Sequence, residues 1–140
     1  MYNRTDIVNA LLSKGADVNA KNNRGQTAPM IASMCGYIDV INALLSKGVD
    51  VNAQDSIGFT ALMYAVRFYQ AETIRILLAS GANVNLVNKY GQTARTMAFS
   101  TTRGRSEIAR MFVDATAKKP IVSSQQSQRS VSTSRRPARR

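Results

Sequence analysis

Gly15, Gly48 and Gly81 lie 33 residues apart, and Gly25, Gly58 and Gly91 repeat the same interval. Around the first series the chain reads Leu11-Leu12-Ser13-Lys14-Gly15-Ala16-Asp17-Val18-Asn19. It returns as Leu44-Leu45-Ser46-Lys47-Gly48-Val49-Asp50-Val51-Asn52, then as Leu77-Leu78-Ala79-Ser80-Gly81-Ala82-Asn83-Val84-Asn85. The second series sits in a Gly-x-Thr-Ala frame at Gly25-Gln26-Thr27-Ala28, Gly58-Phe59-Thr60-Ala61 and Gly91-Gln92-Thr93-Ala94. Two registers locked to one period mean that one supersecondary unit is copied. Such units stack in a line, each touching only its neighbours. A stack offers a surface and does not by itself enclose a pocket, which favours binding over catalysis.

The side-chain inventory points the same way. Among 140 residues there is no histidine, which excludes Ser-His-Asp triads, Cys-His dyads and His-ligated metals. Cys35 is alone, so neither an internal disulfide nor a cysteine zinc cluster can form. Its place on an amphipathic segment suggests a small buried or half-buried thiol rather than a nucleophile. The eight acidic residues are scattered, with no pair spaced for a metal or for glycosidase chemistry. The glycines follow the period and form no phosphate loop with an adjoining Lys-Ser/Thr. The expectation is a non-enzyme with no cofactor and no metal. No run approaches the 18 or so apolar residues of a transmembrane segment.

Within each period, turn chemistry alternates with two short amphipathic segments. Asn22-Asn23-Arg24-Gly25, Asp55-Ser56-Ile57-Gly58 and Asn88-Lys89-Tyr90-Gly91 open with Asn or Asp and close with Gly, as β-turns do. Thr27, Thr60 and Thr93 follow two residues later, placed to cap a starting helix. First helices are predicted at about 28–35, 61–68 and 94–101, and second helices at about 38–46, 72–79 and 106–115, with an orphan second helix at 5–13. Asp6, Asp39, Glu72 and Glu107 fall in first turns of second helices, where an acid complements the helix dipole. Ile7/Val8/Leu11/Leu12 and Val40/Ile41/Leu44/Leu45 make a wide apolar stripe. Gly15, Gly48 and Gly81 then close the helices as left-handed caps.

These residues resemble the ankyrin repeat, a β-turn followed by two antiparallel helices. Thr60-Ala61-Leu62-Met63-x-Ala65 stands where that family writes Thr-Pro-Leu-His-x-Ala, and Gly15-Ala16-Asp17-Val18-Asn19-Ala20 matches the family's closing signature. The resemblance covers about 1–116 and implies an all-α repeat solenoid. The segments are 1–20 (second helix of a partial repeat), 21–53, 54–86 and 87–116, the last with a two-residue insertion near Thr101-Thr102-Arg103-Gly104, and a tail at 117–140. Met30, Met63 and Thr96 stand where the family's His normally ties neighbouring turns together, so that His-mediated hydrogen-bond network is expected to be missing. Pro29 stands one place beyond the usual Pro site, still within the first helical turn. Tyr69-Gln70 replaces a Gly-His corner and forces a non-glycine residue into a tight bend.

The first unit begins directly at its second helix and leaves a flank of Ile7, Val8 and Leu11 uncovered, which suggests a fragment of a longer array or an end that docks something. The tail from Ala117 is rich in Ser, Gln and Arg, has almost no apolar content, and is expected to be disordered. It also carries +7 of the chain's net +11.

For an ankyrin stack, the resemblance implies a concave face lined by turn tips and first helices. Arg24, Gln26, Ile57, Phe59, Arg67, Tyr90 and Gln92 occupy the family's variable contact positions. Ile57, Phe59 and Tyr90 are the most informative, because apolar side chains at turn tips have little core to join and buried aromatic and Arg anchors dominate interfaces. The alternative for Phe59 is to fold back as packing. The expected partner is a protein, bound by a monomer or by part of a longer array. The rival reading rests on Arg135, Arg136, Arg139 and Arg140 in the tail, which suit nucleic acid, an anionic surface or a nuclear-import signal. With no apolar run at Met1-Tyr2-Asn3-Arg4 to act as a secretory signal, the expected compartment is the cytoplasm, or the nucleus if the tail is an import signal.

Overall fold

The computed structural model describes residues 4–100 and 105–118. Among these residues the elements are α1 (Arg4–Ser13), α2 (Ala28–Cys35), α3 (Ile38–Ser46), α4 (Ala61–Arg67), α5 (Ala71–Ala79), α6 (Ala94–Ser100) and α7 (Arg105–Lys118), with no strand. The first helices α2, α4 and α6 pack side by side in one row, and the second helices α1, α3, α5 and α7 form another. Within a unit the chain turns back between the rows, pairing α2 with α3, α4 with α5 and α6 with α7. The core fills the seam between the rows. Second helices supply Ile41, Leu44, Ile74, Leu77, Ile108 and Phe112, and first helices supply Met30, Leu62, Met63, Ala65 and Ala98.

Helix starts and stops follow local chemistry. The Met63 N–H donates to Thr60 Oγ1 at 3.2 Å, and the Thr96 N–H donates to Thr93 Oγ1 at 3.0 Å. Each bond satisfies one of the donors that a helix N-terminus leaves free. Asp6, Asp39, Glu72 and Glu107 all lie in first turns. After α1, α3 and α5 the chain leaves each helix with a glycine in the left-handed region.

The corners joining the two helices of a unit differ between copies. Gly36 turns at φ 72°, and Tyr69 takes the same place at φ 59° as the positive-φ non-glycine residue among those described. A side chain in that conformation costs on the order of 1 kcal/mol. The next residue, Gln70, reaches back one unit. Its Nε2 donates to the Met34 carbonyl at 3.1 Å, and its Oε1 lies 2.5 Å from where a Cβ on Gly36 would stand. The glycine corner of one unit is therefore filled by the side chain that follows the tyrosine corner of the next.

Two expectations need correction. The last helix does not stop near 115: α7 runs through Lys118, beyond the point where the tail was read to begin. Ala115, Ala117 and Lys118 are good helix formers and extend it. Cys35 is exposed rather than buried, because Met30, Ala32 and Ser33 take the inward positions of α2. The ties made by the family's His are absent with that residue, and other bonds join the turns, as their geometry shows below. The insertion at 101–104 and the tail from 119 onward, with Arg135, Arg136, Arg139 and Arg140, lie outside the described residues.

Candidate interaction face

The three turns share a hydrogen-bond scheme. Asn22 Oδ1 accepts from the N–H groups of Arg24 and Gln26, both at 2.9 Å. Asp55 Oδ1 accepts from Ile57 and Phe59, and Asn88 Oδ1 from Tyr90 and Gln92. An Asx side chain bonded to the backbone two and four residues on rigidifies the turn. Adjacent turns are joined as well, with the Ser56 N–H donating to Arg24 O at 3.0 Å and the Lys89 N–H to Ile57 O at 3.0 Å. Gly58 permits this approach: a Cβ there would sit 2.8 Å from Asn88 Cα.

Sulfur and hydroxyl atoms stand where the family carries an imidazole. Met30 Sδ accepts from the Thr27 N–H at 3.4 Å, Thr96 Oγ1 accepts from the Thr93 N–H at 2.9 Å, and Asn88 Nδ2 lies 3.9 Å from Met63 Sδ in the preceding unit. Links between units therefore persist through backbone bonds and one weak sulfur contact. A second ladder runs along the loops behind the helices, where Asn19 Oδ1 accepts from the Asp50 N–H at 2.8 Å and Asn52 Oδ1 from the Asn83 N–H at 2.7 Å.

The middle turn departs from its neighbours in chemistry. The outer two close with an amide pair, Asn22 Nδ2 to Gln26 Oε1 and Asn88 Nδ2 to Gln92 Oε1, each at 3.0 Å. In the middle turn Asp55 replaces Asn and Phe59 replaces Gln. The second carboxylate oxygen of Asp55, which has no amide to meet, accepts from the Tyr64 hydroxyl on α4. Gln26 of the preceding turn also approaches that hydroxyl, at 3.4 Å. Burial, then the Asp55 carboxylate as hydrogen-bond acceptor and as a charge, hold the Tyr64 phenol above its ordinary pKa, with Gln26 and Arg67 opposing.

Phe59 is thereby taken off the surface. It is 1% exposed, with its ring centroid 4.9 Å from that of Tyr64. Tyr90 from the next turn meets it edge-on at 6.5 Å, and the Arg67 guanidinium carbon lies 5.9 Å from the ring centroid. Phe59 is a packing residue and not an exposed contact. The turn tip has a small core of its own, made by a helix residue and by a tyrosine from the following unit.

The other six sequence-derived positions divide into two groups. Gln26, Ile57 and Gln92 are half-buried; both glutamines hold turns, and Ile57 packs against the core. Arg24, Arg67 and Tyr90 are exposed, Tyr90 by 67%. The structure brings Arg67 and Tyr90 together over Phe59. Arg24 stands at the same turn position as Tyr90, two units earlier. Asp55 was read only as a turn opener, and its bond with Tyr64, which ties this cluster together, escaped the sequence reading. Its signal was the coincident change of Asn to Asp and Gln to Phe in one copy.

Among the described residues no group of three His, Cys, Asp or Glu side chains could hold a metal ion, and no helix is long and apolar enough to cross a membrane. None of the curated proteins matches this sequence. The family described as ankyrin repeats (3 copies) matches residues 1–55 and 53–123, a span that contains all the helices described above. With its two rows of helices, its Asx turns and its glycine-closed period, the chain belongs to the ankyrin-repeat family.

Proposed function

We propose that this chain is a non-enzymatic interaction module that binds a protein partner on the face made by its turns and first helices. Ankyrin repeats are in general protein–protein interaction modules. The observation that supports this face is Tyr90, 67% exposed yet held edge-on to a buried ring, beside an exposed Arg67 over the same ring. Aromatic and arginine anchors already fixed in place lose little freedom on binding and carry most interface energy.

Replacing Tyr90 by Ala is expected to weaken capture of the native partner by about thirtyfold, the equivalent of about 2 kcal/mol for a central aromatic anchor. Arg75→Ala on the opposite row serves as the control. Arg75 is exposed and pairs with Glu72 at 3.1 Å and Glu107 at 3.2 Å, contacts expected to contribute under about 1 kcal/mol. The measurement is affinity capture from native cells alongside thermal melting of each variant. Equal capture by folded wild type and Tyr90→Ala would remove this face from consideration.

The competing reading is polyanion binding by the +7 segment at 117–140, with the repeats as carrier. Its support is the absence of any acid there against seven cations. If charge reversal at Arg135, Arg136, Arg139 and Arg140 abolishes capture while Tyr90→Ala does not, that reading replaces the first.

A further inference from the structure

The charges of the stack are sorted between its two rows. The turns and first helices carry five cations, Lys21, Arg24, Arg67, Lys89 and Arg95, against a single acid, Asp55. Asp55 is buried, and its two oxygens are taken by the N–H groups of Ile57 and Phe59 and by the Tyr64 hydroxyl. It projects no carboxylate to an incoming partner. The second helices and the loops that follow them hold seven acids and seven cations, an even balance. The ion pairs found among the described residues, Arg75 with Glu72 and Glu107, lie on that row. Arg24, Arg67 and Lys89 are exposed and make no ion pair among the described residues.

The cations also stand among apolar groups. Tyr90 neighbours Lys89 in the last turn, exposed Phe68 follows Arg67 at the end of α4, and half-buried Ile57 lies in the turn between Arg24 and Tyr90. Duplex DNA recognition rests on cations placed to neutralise successive phosphates. Here three separated cations alternate with apolar side chains, a pattern that complements carboxylates alternating with apolar groups.

Resting on the reading of this face as the binding surface, we infer that its partner is an acidic protein segment with interspersed apolar residues, whose carboxylates meet Arg24, Arg67 and Lys89 and whose apolar side chains pack on Tyr90 and Phe68. Like-charged partners are turned away by the same arrangement.

The test uses the full chain and two pools of short labelled peptides with identical apolar positions, one with Glu and one with Lys elsewhere, plus labelled oligo-dT. Fluorescence anisotropy is read at near-physiological salt, where screening leaves close pairs intact. The Glu pool is expected to bind, and Arg24→Glu/Arg67→Glu/Lys89→Glu to weaken it by about tenfold or more, as expected when several complementary charges become repulsive. Charge reversal at Arg135, Arg136, Arg139 and Arg140 should leave that binding nearly unchanged. Arg67→Gln with Lys89→Gln provides a milder variant, and thermal melting checks both. Binding lost on tail reversal but not on face reversal overturns the proposal, as does oligo-dT binding more tightly than the Glu pool and losing its affinity on face reversal. No binding of the Glu pool to the wild type also overturns it. If the Lys pool binds equally well and responds to Tyr90→Ala but not to charge reversal, the face stands as a binding surface and its acidic preference falls.

Discussion

Leu11, Leu44 and Leu77 are the same residue at the same place in three successive units, and they are 56%, 2% and 0% exposed. Local sequence around Leu11 and Leu44 is almost identical, so the difference between those two comes from neighbours alone. Leu77 on α5 is enclosed within the core, whereas Leu11 on α1 joins Ile7 in an exposed apolar strip. The first helices repeat the contrast. Residues Ala61–Val66 of α4 are all buried between α2 and α6, but Ile31 of α2 is exposed and lines an apolar groove with Ile7, Val8, Tyr37 and Val40. In a linear stack a side chain gains its stabilisation from adjacent copies, and identical residues therefore contribute unequally.

The sharpest way to break this comparison is to truncate the same leucine twice. Leu77→Ala should cost about 2–5 kcal/mol, the range for deleting a fully buried leucine with partial collapse of the cavity. Leu11→Ala should fall within about 0.5 kcal/mol of wild type, as surface substitutions do. Urea unfolding midpoints of both variants decide it. Equal losses would mean that Leu11 is covered in solution.

A second test concerns the middle turn against its two neighbours. Tyr64→Phe leaves the buried Asp55 oxygen without its hydroxyl donor and should cost about 1–3 kcal/mol, the penalty for an unsatisfied buried polar group. Adding Asp55→Asn, which restores the residue type of the outer turns, should recover part of that loss. The raised pKa of Tyr64 adds a pH dependence. Because the folded-state value lies above the unfolded value of about 10, its contribution is fully present below pH 10. It is lost as pH rises through the folded-state pKa. Stability measured from pH 9 upward should therefore fall more steeply in wild type than in Tyr64→Phe. Parallel curves would show that the phenol titrates alike in both states.

The smallest effects belong to the two corners, and they carry opposite signs. Gly36→Ala puts a Cβ at φ 72° and against Gln70, and is expected to lower stability by about 1 kcal/mol or somewhat more. Tyr69→Gly relieves a strained φ of 59° and should gain a few tenths of a kcal/mol, up to about 1, less what the freer unfolded chain takes back. Differential melting of the pair shows whether the corners are equivalent.

What could be read from sequence alone was whatever is settled within one unit. Thr60 and Thr93 cap the helices they precede, and Gly48 and Gly81 end those before them, because each act needs only residues a few places away. The corner strain at Tyr69 was legible for the same reason. Phe59 was not: its burial depends on Tyr64 one helix turn into α4 and on Tyr90, 31 residues on. Cys35 shows the same limit, since the inward positions of a short helix depend on the row it joins. The open character of Arg24, Arg67 and Tyr90 was anticipated by position, but the confinement of all acids except buried Asp55 to the second-helix row and its loops, which leaves the turns and first helices net positive, emerges only once the units are stacked.

The backbone N–H groups that bond across units all point one way, although the Gln26 and Gln54 side chains donate in the other direction. Ser56 and Lys89 give their amide hydrogens to carbonyls of the preceding unit, and Asp50 and Asn83 give theirs to asparagines of the preceding unit. The stack thus has a grammatical direction, in which each copy is the object of the one before. Through these four backbone donors, losing an early unit strands N–H groups in its successor, while losing a late one strands acceptors, which tolerate incomplete partnering better. Amide hydrogen exchange at Asp50, Ser56, Asn83 and Lys89 would therefore time the parting of whole units, separate from the fraying of any single helix.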